Sequence, residues 1–245
     1  MKVAQRLSQI SPSATLSINA KAKALKKQGV RVINFCVGEP DFDTPQHIRE
    51  AAIQAMQEGQ TRYTAVSGID ELKDAVIQVI HDDYGLSYHR ENVLVSCGGK
   101  HALYNLFQAT LDPGDEVVIP VPSWVSYPDM VALSGGKPVF VPCCEANGFK
   151  LQAEQLDQAI TQNTRLLILN SPSNPSGVHY CRAELESLEK VLLRHKHVNI
   201  VSDDIYYRIL FTGHEWISLP MLNPELRERT FIINGVSKTY CMTGW

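Results

Sequence analysis

The chain has 245 residues, 44% of them hydrophobic, with 23 Lys and Arg against 26 Asp and Glu and a net charge of −3. That length allows one large domain or two modest ones, and the composition excludes a wholly disordered chain. The charge balance speaks against a nucleic-acid binder, which needs a basic face, and no apolar run approaches the ~20 residues that cross a bilayer.

The opening Met1-Lys2-Val3-Ala4-Gln5-Arg6 leads into polar residues rather than the apolar core of a signal peptide. The expectation is a cytoplasmic protein that handles a small molecule, with no nucleic-acid or membrane partner. The first 90 residues read as an arm and a helical layer. Ala14 to Gln28 predicts a Lys-rich helix stopped by Gly29, and Val32 to Val37 a short strand running into Gly38-Glu39-Pro40-Asp41. Thr44-Pro45 opens a helix that extends to about Glu58, with proline in its favoured first turn. A further helix carries Leu72, Val76, Val79 and Ile80 on one face.

From Glu91 onward, short apolar runs alternate with amphipathic stretches. The runs are Val93-Leu94-Val95, Val117-Val118-Ile119, Val139-Phe140-Val141, Leu166-Leu167-Ile168-Leu169, Asn199-Ile200-Val201 and Phe231-Ile232-Ile233. They are continuous rather than alternating, which suits strands covered on both faces of a parallel sheet. Ala102 to Ala109 reads as a helix, and Leu185, Leu188, Val191 and Leu192 recur at helical spacing. Asp112-Pro113-Gly114-Asp115 and Ser134-Gly135-Gly136 are turn signals between the units. The pattern predicts an α/β fold, a mostly parallel sheet with helices on both faces.

The six cysteines, Cys36, Cys97, Cys143, Cys144, Cys181 and Cys241, form no CxxC pair, and most sit beside apolar runs. They read as buried, reduced thiols. His195-Lys196-His197 and Cys143-Cys144 are the only metal-like clusters, and with no carboxylate at ligand spacing neither predicts a metal site.

In open α/β sheets, ligands bind beyond the carboxyl ends of the strands, and four such positions carry polar or glycine clusters. Ser96-Cys97-Gly98-Gly99-Lys100-His101 is either a tight turn or a nest of N–H groups for an anion, and it matches neither the dinucleotide nor the Walker fingerprint. Asn170-Ser171-Pro172-Ser173-Asn174-Pro175-Ser176-Gly177 is a rigid loop, or one in which two prolines fix an Asn side chain toward a ligand. Ser202-Asp203-Asp204-Ile205-Tyr206-Tyr207 puts a carboxylate at the end of a buried strand, as a helix cap or as a charge needing a cation. Asn234-Gly235-Val236-Ser237-Lys238-Thr239-Tyr240 places Lys238 after an apolar strand, where it is a candidate Schiff-base lysine. Each cluster alone has a structural explanation. Together they suggest a bound phosphorylated cofactor.

With these loops, Gly38-Glu39-Pro40-Asp41-Phe42-Asp43-Thr44-Pro45, Ser123-Trp124-Val125-Ser126-Tyr127-Pro128 and Ser237-Lys238 through Met242-Thr243-Gly244-Trp245 complete a pattern. In order and spacing, over essentially the whole chain, it resembles the class I pyridoxal-phosphate-dependent aminotransferases, most closely the bacterial aspartate aminotransferases of the one-gamma subgroup. The resemblance implies the fold-type I large domain, with residues 1–45 as an N-terminal arm and part of a small domain and 46–245 as the cofactor-binding large domain. It implies pyridoxal 5′-phosphate held as an internal aldimine on Lys238, which then moves a proton between the substrate α-carbon and the cofactor C4′. Asp203 would pair with the pyridine nitrogen and keep the ring cationic. Asn174 and Tyr206 would meet the phenolic oxygen, and Trp124 would stack on the ring. Gly98, Gly99, Lys100 and Ser237 would surround the phosphate, and Tyr63 would reach the phosphate of a neighbouring subunit, giving a homodimer with shared active sites. Gly38, Trp124, Asn174 and Lys100 would meet substrate, Lys100 through the distal carboxylate of aspartate or glutamate. The implied reaction moves the amino group of aspartate, or a related acidic amino acid, to 2-oxoglutarate.

Family members carry an arginine directly after the Gly-Trp pair that clamps the phosphate, and a later one that pairs with the substrate α-carboxylate. Both fall outside this chain, as do the next sheet strand and most of the small domain, so the chain resembles the N-terminal part of the family. The expectation is an exposed sheet edge, poor stability and weak or absent turnover by this chain. The alternatives are another reaction of the same cofactor (prephenate transamination or β-elimination), or a catalytically inactive chain that binds the cofactor or a partner. A Rossmann dehydrogenase lacks its glycine fingerprint here.

Overall fold

The computed structural model describes residues 2–10, 14–35 and 38–245. Ala14–Lys27 forms α1, and the chain leaves it through Gly29 at φ +82°, a left-handed conformation that suits glycine. The strand expected over 32–37 is absent from 32–35, where Ile33 and Phe35 are exposed with no partner strand beside them, while Cys36 and Val37 lie outside the described residues. Helix α2 covers Gln46–Gln57, with Pro45 as its N-cap rather than inside the first turn. Helix α3 covers Asp70–Tyr84. Ile80 on its predicted apolar face is buried, but Leu72 is 40% exposed. The buried neighbour there is Lys73, whose Nζ donates to Ser67 Oγ at 2.6 Å.

Helix α4 (Gly99–Thr110) leads into β1 (Glu116–Val121), α5 (Ser126–Leu133), β2 (Lys137–Pro142), α6 (Ala153–Ala159) and β3 (Thr164–Asn170). Then follow α7 (Arg182–Arg194), β4 (Asn199–Asp203), α8 (Pro224–Arg227), β5 (Thr230–Ile233) and α9 (Val236–Thr239). The strands form one parallel sheet in the order β2-β1-β3-β4-β5. Five of the six predicted runs are therefore strands. The sixth, Val93-Leu94-Val95, stays outside the sheet: Leu94 is exposed, and Val95 N–H donates to the Ser67 carbonyl of a loop at 3.1 Å instead of entering a ladder.

Consecutive strand residues enter opposite cores, which is why the runs are continuous. Val117 and Ile119 of β1 and Leu166 and Ile168 of β3 pack with Phe107 of α4 and Val131 of α5. Val118, Leu167 and Leu169 pack on the other face with Leu185, Leu188 and Leu192 of α7. Burying each such side chain contributes roughly 1.5–3 kcal/mol. The chain winds from β1 outward to β2, then crosses to β3 on the other side, so the winding reverses between β1 and β3. Sheets of this kind open a ligand crevice at that point, and a cavity lined by Pro122, Ser123, Tyr127, Asn170 and Ser173 lies there.

All five described cysteines are free, and only Cys143 is buried. Cys97, Cys144 and Cys181 are exposed, contrary to expectation, because each sits where its apolar run has ended: before Gly98, after β2 and at the N-cap of α7. Among the described residues no helix is long and apolar enough to cross a membrane.

Candidate active site

The carboxyl ends of β1, β3, β4 and β5 bring most of the predicted polar residues to one side of the sheet. Asp203 closes β4 and is buried. Its Oδ2 accepts a short hydrogen bond from the Tyr127 hydroxyl, and its Oδ1 a long one from Ile205 N–H at 3.4 Å. Asn170, at the end of β3, donates its amide to the Asp203 carbonyl at 2.7 Å and accepts from Asn174 N–H at 2.8 Å. Burial pushes the Asp203 carboxyl up to about 6, against 3.8 for an ordinary aspartate, and the two hydrogen bonds only partly oppose it. Among the described residues no cation pairs with this carboxylate. A buried carboxylate in that condition is suited to a cationic group brought by a ligand.

Lys238 arrives from the neighbouring strand. After β5, Asn234 Oδ1 accepts from Gly235 N–H at 2.7 Å, and the chain turns into α9, which carries Lys238. Its half-buried Nζ donates to the Gly38 carbonyl at 2.6 Å and lies 5.9 Å from the centre of the Tyr206 ring. Burial pushes the amine below the ordinary lysine range, opposed by the charge of Glu39. Burial and the charge of Asp203 raise the Tyr206 phenol, which the Asn174 side chain faces with a hydrogen bond that lowers it.

The glycine turn before α4 has room for an anion. Gly98 sits at φ +86°, and a Cβ placed on it would meet nothing within 4 Å. The Gly99 and Lys100 N–H groups open α4 without a partner among the described hydrogen bonds. The buried hydroxyls of Ser96 and Ser176, in two loops, and of Thr239, at the end of α9, also lack partners. Ser237 stands beside Lys238 on α9. This donor set fits a phosphate at the head of α4 and a protonated ring nitrogen at Asp203.

Two predicted residues lie on the surface of the chain. The Lys100 ammonium is exposed and lies 5.1 Å from the centre of the Trp124 ring, a cation–π contact on the surface. Trp124 meets Tyr127 edge-on at 5.3 Å. Tyr63 is fully exposed and packs on nothing in its own chain. The structure adds residues that the sequence did not single out: Tyr127 and Asn170, which hold Asp203, and Thr44, whose hydroxyl donates to the Cys241 carbonyl at 2.5 Å and accepts from Trp245 Nε1–H at 3.1 Å. Tyr127 lies three residues after Trp124 in a noted motif, but only the fold shows that it reaches Asp203. Asp157, likewise remote in sequence, lies 2.8 Å from His195 Nε2, yet Arg194 shares it, and no group of three metal-ligating side chains occurs among the described residues.

The family model for aminotransferase classes I and II matches residues 30–245. The aspartate aminotransferase of Geobacillus stearothermophilus is 53% identical over 245 residues, covering 100% of this chain and 62% of that protein. A probable aspartate/prephenate aminotransferase of Rickettsia conorii is 51% identical over 243 residues, covering 99% of this chain and 61% of the relative. The crystal structure of the Rhizobium meliloti aspartate aminotransferase superposes with a TM-score of 0.96 at 47% identity, over 100% of this chain and 61% of that one. The Thermus thermophilus aspartate aminotransferase with maleate gives 0.94 at 43% identity, with 63% of its chain covered. The chain thus spans about three-fifths of the length of these relatives, and it belongs to the family of class I and II aminotransferases.

Proposed function

We propose that this chain serves an aminotransferase that moves the amino group of aspartate, or a related acidic amino acid, to 2-oxoglutarate, with pyridoxal 5′-phosphate held at Lys238. The observation that carries this reading is the pairing of a buried, cation-free Asp203 with a half-buried Lys238 at adjacent strand ends. When bound, the cofactor supplies an electron sink for the bond broken at the substrate α-carbon.

The chain's own residues do the rest. Lys238 Nζ, pushed below the ordinary lysine range by burial, would be the amine that bonds the cofactor aldehyde with loss of water, and the group that would take and return the substrate α-proton. The Gly38 carbonyl orients that amine. Asp203 would hold a proton on the ring nitrogen, and Tyr127 fixes that carboxylate. The Gly98-Gly99-Lys100 turn and Ser237 would take the phosphate, Trp124 would cover the ring, and Asn174 and Tyr206 would meet its phenolic oxygen. Gly38, Trp124 and Asn174 would line the substrate side, and Lys100, exposed beside Trp124, would meet a distal carboxylate. Maleate in the Thermus structure is a dicarboxylate of that kind. Cytoplasmic residence, a cofactor-binding domain over 46–245 and a homodimer with shared sites belong to the same reading. The exposed Tyr63, with Phe35, Phe42 and Val66 exposed in the same part of the chain, supports the homodimer.

A second reading is favoured by the likeness to the probable aspartate/prephenate aminotransferase of Rickettsia conorii: prephenate as the amino acceptor in place of 2-oxoglutarate. The test is conversion of bound pyridoxal phosphate to pyridoxamine phosphate by aspartate, followed by regeneration with 2-oxoglutarate or prephenate. Conversion by aspartate that disappears in Lys238→Ala is the expected result. Bound cofactor that aspartate leaves unchanged overturns the assignment, and regeneration by prephenate alone selects the second reading.

A further inference from the structure

Asp204, next to Asp203, is as deeply buried and has no counterpart in the chemistry above. Its carboxyl sits in a closed ring of oxygens. Ser202 Oγ lies 2.8 Å from Asp204 Oδ1, Ser218 Oγ lies 3.0 Å from Oδ2, and the two serine hydroxyls lie 2.8 Å from each other. The Tyr84 hydroxyl donates to Oδ2 at 3.1 Å and accepts from Asn234 Nδ2 at 3.1 Å. All four side chains of the ring and its Tyr84 branch are buried.

The three contacts among Ser202, Ser218 and Asp204 need three hydrogens, and each serine hydroxyl carries one. The tyrosine hydrogen is already committed to Oδ2. If Asp204 is ionised, one pair of buried oxygens must face each other at 2.8 or 3.0 Å with no hydrogen between them. If Asp204 is protonated, its Oδ1–H donates to Ser202, Ser202 to Ser218, and Ser218 to Oδ2, and the ring closes without a conflict.

We infer that Asp204 is held as the neutral acid, a positioning residue whose proton completes this ring and leaves Asp203 as the one ionised carboxyl of the pair. The titratable groups facing it are Asp203 from β4, Tyr84 from α3 and Tyr127 from α5, and no cation among the described residues offsets a charge there. Burial, reinforced by the charge of Asp203, pushes its carboxyl up to about 7, in the same direction. Through Tyr84 and Asn234 the ring also braces the Asn234-Gly235 turn from which Lys238 is presented. That consequence rests on the proposed function; the protonation of Asp204 does not.

The two parts separate by experiment. In the cofactor-free chain labelled with ¹³C at aspartate carboxyls, the resonance that vanishes in Asp204→Asn stays at its protonated position at pH 5.5, well above the ~3.9 midpoint of a free aspartate. A midpoint near 4 overturns the assignment. With pyridoxal phosphate bound, Asp204→Asn, which can supply the third hydrogen through its amide, leaves the pH midpoint of the visible band within about 0.3 unit of wild type, because no charge has been removed. A displacement of about one unit overturns the neutral state, since it reports a lost charge beside Asp203. Asp204→Ala, which leaves the buried Ser218 and Tyr84 hydroxyls without an acceptor, lowers the melting temperature by about 5 °C or more while Asp204→Asn restores it; equal losses in both variants overturn the ring. A chain that binds no pyridoxal phosphate refutes the proposed function and leaves the carboxyl titration to decide Asp204 alone.

Discussion

Asp203→Asn separates the stability of this fold from its chemistry. In the cofactor-free chain the carboxyl is buried and unpaired with any cation, and its pKa is about 6 against 3.8 in the unfolded chain. At 1.36 kcal/mol per unit, ionising it in the fold costs on the order of 3 kcal/mol. The folded pKa is the higher one, so the folded state holds the proton more tightly. Stability from this group is therefore complete below about pH 4 and is lost as pH rises through about 6. Asparagine removes that loss and keeps an oxygen for the Tyr127 hydroxyl. At pH 8 without cofactor, Asp203→Asn is expected to raise the melting temperature by several degrees, at about 2–4 °C per kcal/mol for a chain of this size. At pH 4 the gain falls below about 1 kcal/mol. With pyridoxal phosphate present the order is expected to reverse, because the variant loses the charge proposed to pair with the ring nitrogen, and affinity is expected to drop at least about tenfold. Thermal melts at both pH values, with and without cofactor, check this. A variant that is less stable than wild type at pH 8 without cofactor would refute the reasoning.

Other perturbations reach different parts of the account. Gly98→Ala forces a side chain into the left-handed region at φ +86° and puts a methyl group where the anion is proposed, so phosphate-dependent affinity for the cofactor is expected to fall about tenfold in fluorescence titration. Lys100→Met is expected to raise the KM for aspartate about tenfold and leave that for an uncharged amino acid within about twofold, the discrimination a charge-assisted hydrogen bond provides. Leu188→Ala, in the core between α7 and the sheet, is expected to cost about 2–5 kcal/mol in chemical denaturation.

Much of this was legible in the sequence because the parallel sheet writes itself as continuous apolar runs. Five runs fell on β1 to β5, and the loops that follow them hold the candidate site. The sixth run misled because three apolar residues carry no record of whether a neighbour is there to pair: Val95 finds only a loop carbonyl. Leu72 misled for a related reason, since helical periodicity gives a face but not what covers it, and Lys73 took the buried place by reaching Ser67. The cysteines were read by their neighbours in sequence, whereas their exposure follows from sitting just past the ends of elements. Lys238, Asp203 and Asn174 were visible as residue types after strands, and the Gly98-Gly99 turn as a glycine pair opening a helix. Tyr127, Asn170 and the ring around Asp204 were not, because their partners lie 76, 33, 120 and 14 residues away along the chain and meet only when the sheet assembles.

The account stands most directly on Lys238 as the residue that bonds the cofactor. Incubating the chain with pyridoxal 5′-phosphate, reducing with borohydride and mapping the modified peptide tests it in one measurement. A single label on the peptide carrying Lys238, absent in Lys238→Ala, is the predicted result. A label spread over the surface lysines, or unchanged in Lys238→Ala, would contradict it.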